Sequence, residues 1–76
     1  MAKPTRVTNS IRALRFAHGE MTQADLADRL GVTRQTVIAI EQGRYSPSLE
    51  VAFQIARVFN MPLDGVFGYP DTDTDT

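Results

Sequence analysis

Residues 22–43 read TQADLADRLGVTRQTVIAIEQG, and this stretch decides the fold. Its first half places apolar residues at the i, i+1 and i+4 spacing of one helix face, namely Leu26, Ala27 and Leu30. Gly31 then supplies the left-handed backbone conformation that ends a helix and turns the chain. Thr22, followed by Asp25, and Thr33 each stand where a hydroxyl can cap the start of a helix. The pattern predicts two short helices joined by the tight turn LGVT.

The second of these helices carries four consecutive apolar residues, VIAI, at positions 37–40. Val37 and Ile40 lie three apart and are predicted to pack in the core. Ile38 lies about 100° around the helix from Val37, on a side that also holds polar residues. The outer side then consists of Arg34, Gln35, Ile38 and Ala39. Burial of Ile38 in the core or in a dimer interface is the alternative to an outer position.

Three more helices flank this pair. Asn9 is predicted to cap a first helix that ends at Gly19, Ser48 is predicted to cap a fourth, and Pro62 permits a short fifth. Their apolar positions are Ile11, Leu14, Phe16 and Ala17 in the first, Leu49, Ala52, Phe53, Ile55, Ala56 and Phe59 in the fourth, and Leu63, Val66 and Phe67 in the fifth. The four phenylalanines are assigned to the core, with a dimer seam as the alternative for Phe67. The chain is thus predicted to be all-α with five helices.

The two ends of the chain differ from this helical part. Residues 6–8 and 66–69 contain β-branched and aromatic residues at a period of two, so they are able to pair as a small antiparallel β-ribbon. The terminal run DTDTDT has low complexity and no apolar side chain, so we expect disorder there. The predicted organisation is an N-terminal arm over 1–8, a helical domain over 9–69 and an acidic tail over 70–76.

Composition bounds the class of protein. Seventy-six residues make one small domain, and no apolar run approaches the roughly 18 residues of a membrane span. The N-terminus lacks the apolar stretch of a signal peptide and the chain has no cysteine, so we expect a cytoplasmic protein. The net charge is −1, yet three of the nine acidic residues lie in the tail, and residues 1–70 hold eight basic against six acidic side chains. The bulk charge therefore says little about function.

Candidate catalytic and metal sites are missing from the sequence. His18 is the only histidine and no cysteine accompanies it, so no metal site is predicted. Nothing places His18 beside an activated nucleophile, and no glycine-rich phosphate loop occurs. We predict no enzyme activity, no cofactor and no small-molecule ligand domain.

The pattern TQxxLAxxxGVxxxTVxxIExG, followed by Pro47 and Ser48, resembles the Cro/C1-type (XRE family) helix-turn-helix transcriptional regulators. The resemblance covers residues 10–67, and within the family it is greatest to short stand-alone members that form homodimers. It implies a five-helix lambda-repressor-like DNA-binding domain that acts on double-stranded DNA. The predicted function is a prokaryotic repressor that binds a palindromic operator as a homodimer and is nucleoid-associated when bound. The alternative is an antitoxin or anti-regulator whose main role is to bind a protein partner; it would need a partner-binding segment, and only the tail lies beyond the domain.

The resemblance also implies roles for individual residues. Base contacts fall on Thr33, Arg34, Gln35, Ile38 and Ala39. Phosphate contacts fall on Thr22, Gln23, Thr36, Arg44 and Tyr45. A structural salt bridge joins Arg15 to Glu41, and the dimer interface contains Leu63, Val66, Phe67 and Tyr69. Arg12, Arg29 and Arg57 are assigned to the solvated surface, with phosphate contact as the lesser alternative.

Two positions depart from the family pattern. Ile38 stands where relatives commonly carry a polar residue, which favours a contact with a thymine methyl over a hydrogen bond. Gly65 replaces a helix-forming residue in the fifth helix, so we expect a frayed helix or altered dimer packing there.

Overall fold

The computed structural model describes residues 5–70, and five helices fill most of that span. Their bounds, with two short strands at the ends, are β1 Thr8–Asn9, α1 Ile11–Ala17, α2 Gln23–Leu30, α3 Arg34–Glu41, α4 Leu49–Val58, α5 Leu63–Val66 and β2 Phe67–Gly68. The predicted all-α fold with an end ribbon is confirmed. Among the described residues, no helix is both long enough and apolar enough to cross a membrane. The predicted tail over 70–76 lies, apart from Pro70, outside the described residues.

Side-chain caps define where the central helices begin. The Thr22 hydroxyl accepts the Asp25 backbone N–H at 2.9 Å, and the Asp25 carboxylate accepts the Thr22 N–H at 3.3 Å, which completes a capping box. Thr33 caps α3 by accepting the Thr36 N–H at 3.2 Å, and Ser48 caps α4 in the same way. Gly31 has φ of 72° and ends α2 in the left-handed conformation, as the sequence predicts.

The start of α1 differs in detail from the prediction. Ser10 is the N-cap residue and its side chain makes no capping hydrogen bond. Asn9, one residue upstream and within β1, accepts the Ile11 N–H through Oδ1 at 3.1 Å. Its amide nitrogen donates to the Ile40 carbonyl oxygen at 2.9 Å. Asn9 therefore joins the ribbon and the start of α1 to the last turn of α3.

The core is formed by all five helices and the loop after α1. Its buried members are Ile11, Met21, Leu26, Ala27, Leu30, Val37, Ile40, Ile55, Ala56, Phe59 and Val66. The assignment of Phe16 and Phe53 to this core is wrong, because they are 53% and 50% exposed, and Leu49 is 67% exposed. At 100° per residue, Phe53 points roughly 110° away from the buried stripe of α4 that ends at Phe59. A core this small covers only a narrow stripe of each helix.

The end ribbon and α5 close the domain. Thr8 pairs with Gly68 and Asn9 with Phe67, in antiparallel register. Phe67, predicted to continue the fifth helix, lies in β2, so α5 is a single turn. A Cβ on Gly65 would lie 2.9 Å from Met61 Cε and 3.3 Å from two ring atoms of Pro62. A side chain at this position would press on the Pro62 ring at the start of the turn, whereas the flexible end of Met61 could move aside.

Candidate nucleic-acid interface

The four apolar residues in the middle of α3 divide between two faces. Val37 and Ile40 are 1% and 2% exposed and belong to the core. Ile38 and Ala39 are half-buried and lie outside the core cluster. Arg34 and Gln35 are exposed in the preceding turn. The outer face of α3 thus combines an apolar centre with a guanidinium and a carboxamide.

This outer face is concave. A depression of about 350 Å³ is lined by Gln35, Ile38, Ala39 and Arg44. Arg44 follows α3 and donates from Nε to the Gln42 side-chain oxygen at 2.9 Å, which occupies one of its five N–H groups. Four of the residues predicted to contact DNA therefore line one surface, with Ile38 and Ala39 between two polar side chains.

Thr33 and Thr36 hold the first turn of α3 together. Besides the capping bond, their two hydroxyl oxygens lie 3.0 Å apart, so one donates to the other. Both hydroxyls are therefore oriented by the cap. The same cap presents the Arg34 side chain at the exposed start of the helix.

A second, larger depression lies between α1, the start of α2 and the side of α3 that carries Arg34 and Glu41. It measures about 610 Å³, and its lining includes Thr22, Gln23 and Arg34. The structure thus brings two predicted phosphate contacts from α2 beside a predicted base contact from α3. The Gln23 amide nitrogen also donates to Glu41 Oε1 at 3.2 Å, so its side chain is held in place. Tyr45, in the loop after α3, is 44% exposed.

An ion pair is part of the lining of this depression. Arg15 Nε lies 2.6 Å from Glu41 Oε2, and its Nη2 donates to Oε1 at 3.2 Å. The third contact of Arg15 is a bond from Nη1 to the Met21 carbonyl oxygen at 2.8 Å. Both charged side chains are only 8% exposed. This bidentate pair ties α1 to the end of α3.

The predicted dimer residues do not all reach the surface. Val66 is 2% exposed and belongs to the core, so its side chain has no area left for a second copy, and its assignment to an interface is corrected. Leu63 and Phe67 are half-buried and Tyr69 is 69% exposed. Leu63 and Phe67 line a largely apolar groove of about 360 Å³ together with Val7, Ser46, Pro47, Leu49 and Ala52. Leu49 joins this surface because α4 turns it away from the core.

Sequence reasoning also missed an aromatic contact on α1. The Arg12 guanidinium carbon lies 5.7 Å from the centre of the Phe16 ring, and both side chains line the 610 Å³ depression. The signal was present in the sequence, because residues four apart on a helix are neighbours. It was hidden by the assignment of Phe16 to the core.

Two helices joined by three residues, the second with a capped start and a concave outer face, define the DNA-binding helix-turn-helix class. A sequence profile of the helix-turn-helix family matches residues 11–66. The chain belongs to this family, in its Cro/C1-type branch.

Similar proteins come from archaea and bacteria. An uncharacterised HTH-type transcriptional regulator of Methanocaldococcus jannaschii is 48% identical over 65 residues, covering 86% of this chain and 97% of the relative. The phage CTXphi repressor RstR of Vibrio cholerae is 29% identical over 68 residues, covering 90% of this chain and 60% of RstR. A crystal structure of a protein from Bacteroides fragilis shares the fold, with a TM-score of 0.70 at 21% identity, covering 82% of this chain and 98% of that one. The protein is therefore a transcriptional regulator with a helix-turn-helix DNA-binding domain.

Proposed function

We propose that the protein is a repressor that binds an inverted-repeat operator as a homodimer. The observation that carries this proposal is the outer face of α3, where Ile38 and Ala39 form an apolar centre between Gln35 and Arg44. A half-buried apolar surface outside the core is explained when a thymine methyl packs on it in the major groove. We place the protein in the cytoplasm and on the nucleoid when it is bound.

Base recognition follows from the chemistry of these side chains. Arg34 is suited to bind guanine O6 and N7, and Gln35 to bind adenine N6 and N7, each bidentate pair giving about 1–3 kcal/mol of discrimination. Ile38 and Ala39 distinguish thymine by its methyl group. Thr33 contacts a base edge through its hydroxyl.

Phosphate contacts position α3 in the groove. Thr22 and Gln23 stand at the start of α2, where backbone N–H groups and the helix dipole favour an anion. Thr36, Arg44 and Tyr45 hold the strand on the far side of α3. These contacts supply affinity for any sequence, whereas the bases supply selectivity.

Dimerisation uses the apolar groove of α4 and α5. Leu63, Phe67 and Tyr69 contact the second copy, joined by the exposed Leu49 and Phe53. Leu49, Phe53 and Tyr69 are exposed and Leu63 and Phe67 are half-buried, so together they offer apolar surface that a second copy can cover. To read two half-sites one helical turn apart, a two-fold axis through this surface has to hold the two recognition helices about 34 Å apart.

A repressor, rather than an activator, is supported by the similarity to RstR, itself a transcriptional repressor. Binding at an operator then blocks transcription by occupancy alone.

Selection of bound sequences from a random duplex library, followed by affinity measurements at several salt concentrations, tests the proposal. Arg34→Ala and Gln35→Ala should weaken binding to the selected site and leave binding to random DNA nearly unchanged. Arg44→Ala should weaken both and lower the salt dependence. Arg57→Ala, on the exposed side of α4, is the control and should change neither. Equal losses on both DNAs for the first two variants, or a monomer by sedimentation with and without DNA, would refute the proposal.

A further inference from the structure

Phe16 presents an exposed aromatic ring that two arginines approach. The guanidinium carbons of Arg12 and Arg15 lie 5.7 and 5.6 Å from the ring centre. The guanidinium of Arg15 forms the ion pair with Glu41. Arg12 is exposed, so its guanidinium is accessible to a ligand while the ring restricts its position.

Arg12 lies next to the residues that are proposed to contact DNA. Arg12 and Phe16 line the 610 Å³ depression together with Thr22, Gln23 and Arg34. They also line an adjoining depression of about 540 Å³ that reaches Asn9 and Ser10 at the start of α1. A continuous path thus leads from the start of α2 along the side of α1.

Charge along this path favours an anion. Arg12 and Arg34 supply two positive charges, and the Arg15–Glu41 pair is neutral as a unit. Apart from Glu41 of that pair, Glu20 is the one acidic residue among the described residues that line the two depressions. A DNA backbone that leaves the groove beside Thr22 and Gln23 would next meet Arg12.

We propose that Arg12, held against the Phe16 ring, binds a backbone phosphate of the duplex outside the bases that α3 reads. The inference rests on the proposed function and extends its footprint onto α1. Phe16 contributes by limiting the side-chain freedom that Arg12 would lose on binding. An acidic protein partner is the competing occupant, but the lining shared with Thr22, Gln23 and Arg34 favours DNA.

The first experiment replaces phosphates one at a time with neutral methylphosphonates in a duplex that carries the selected site. For the wild-type protein, at least one substitution flanking each half-site should weaken binding. For Arg12→Gln, the same substitution should have no effect, because the contact is already lost. If Arg12→Gln responds to every substitution as the wild type does, the inference is overturned.

The second experiment measures the salt dependence of affinity for Arg12→Gln, with Arg57→Gln as the matched control. One lost phosphate contact in each protomer should lower the slope of log affinity against log salt by about 1.8 for a dimer, equally on selected and random DNA. Phe16→Leu should keep the wild-type slope and lower the affinity. Identical slopes for Arg12→Gln and Arg57→Gln would exclude the contact and leave the patch to a protein partner.

The two proposals fail in different ways. A wild-type protein that shows no salt-dependent duplex binding refutes the repressor and this inference together. A wild-type protein that binds its site, with an Arg12→Gln variant indistinguishable from the control, refutes only the inference. Thermal melting of Arg12→Gln checks its folding, and Arg12→Lys, which keeps the charge, should retain the wild-type slope.

Discussion

Replacing Glu41 by alanine should destabilise the fold more than the same replacement of any exposed acidic residue. Arg15 is 7% exposed in the intact protein, and the substitution removes its bidentate partner, so that only the Met21 carbonyl oxygen accepts a hydrogen bond from its guanidinium. Loss of one partner from a buried pair costs about 3–5 kcal/mol, because the remaining charge stays desolvated. The Gln23 amide nitrogen also loses its acceptor.

That cost is large relative to the total free energy of unfolding. A chain of 76 residues has a free energy of unfolding of about 4–11 kcal/mol, at about 0.05–0.15 kcal/mol per residue. Glu41→Ala should therefore remove a large share of the free energy of unfolding and lower the urea midpoint strongly. Urea unfolding followed by circular dichroism measures this, at one fixed protein concentration because the stability of a dimer depends on concentration.

Two further variants test the physical reason. Glu50→Ala removes an exposed acidic residue from the first turn of α4 and should cost no more than about 1 kcal/mol, the range expected for a favourable charge at that position. The double variant Arg15→Met, Glu41→Leu removes both charges and should be more stable than Glu41→Ala alone, since no unpaired charge stays buried. A loss below about 1 kcal/mol for Glu41→Ala, or a double variant less stable than the single, would contradict the desolvation argument.

Three other substitutions separate recognition, folding and assembly. Ile38→Asn should change the base enriched at one position of each half-site in a selection experiment. It should alter the free energy of unfolding by about 1 kcal/mol or less, because the side chain lies outside the core. An unchanged base preference would argue against groove contact. Asn9→Ala removes the bonds to Ile11 and Ile40 and should lower the free energy of unfolding by about 1–3 kcal/mol in urea titrations, whereas no change would mean that the links to α1 and α3 are not stabilising. Leu49→Glu places a charge in the apolar groove and should yield a folded monomer by sedimentation, with Glu50→Lys, next to it on α4, remaining dimeric; a dimeric Leu49→Glu would move the interface elsewhere.

Local features of the fold were predictable from the residues themselves. The capping box of Thr22 and Asp25, the left-handed Gly31 and the Thr33 cap depend on side chains within three positions of the backbone groups they bind. The division of α3 into a core side and an outer side was predictable as well. It follows from the 100° step of a helix once Val37 and Ile40 are placed in the core.

Long-range features were not predictable in this way. Phe16 and Phe53 stand at the spacing of core residues, yet both are exposed. Nothing near them in sequence indicates that other side chains already fill the core. Val66 was placed in an interface, yet the packing of α5 against the rest of the domain makes it part of the core, with 2% of its surface exposed.

The position of Arg12 relative to the other charged and polar side chains also depended on contacts between residues distant in sequence. The sequence analysis assigned Arg12, Arg29 and Arg57 alike to the solvated surface, whereas the tertiary structure brings Arg12 to the same depression as Thr22, Gln23 and Arg34. The sequence by itself therefore determined the helix-turn-helix unit and its outward-facing residues, because caps, turns and helical periodicity act within a few residues. The tertiary structure decided which apolar side chains stay exposed and which arginine lies beside Thr22, Gln23 and Arg34, because a core of limited volume and the crossing of helices distant in sequence set both.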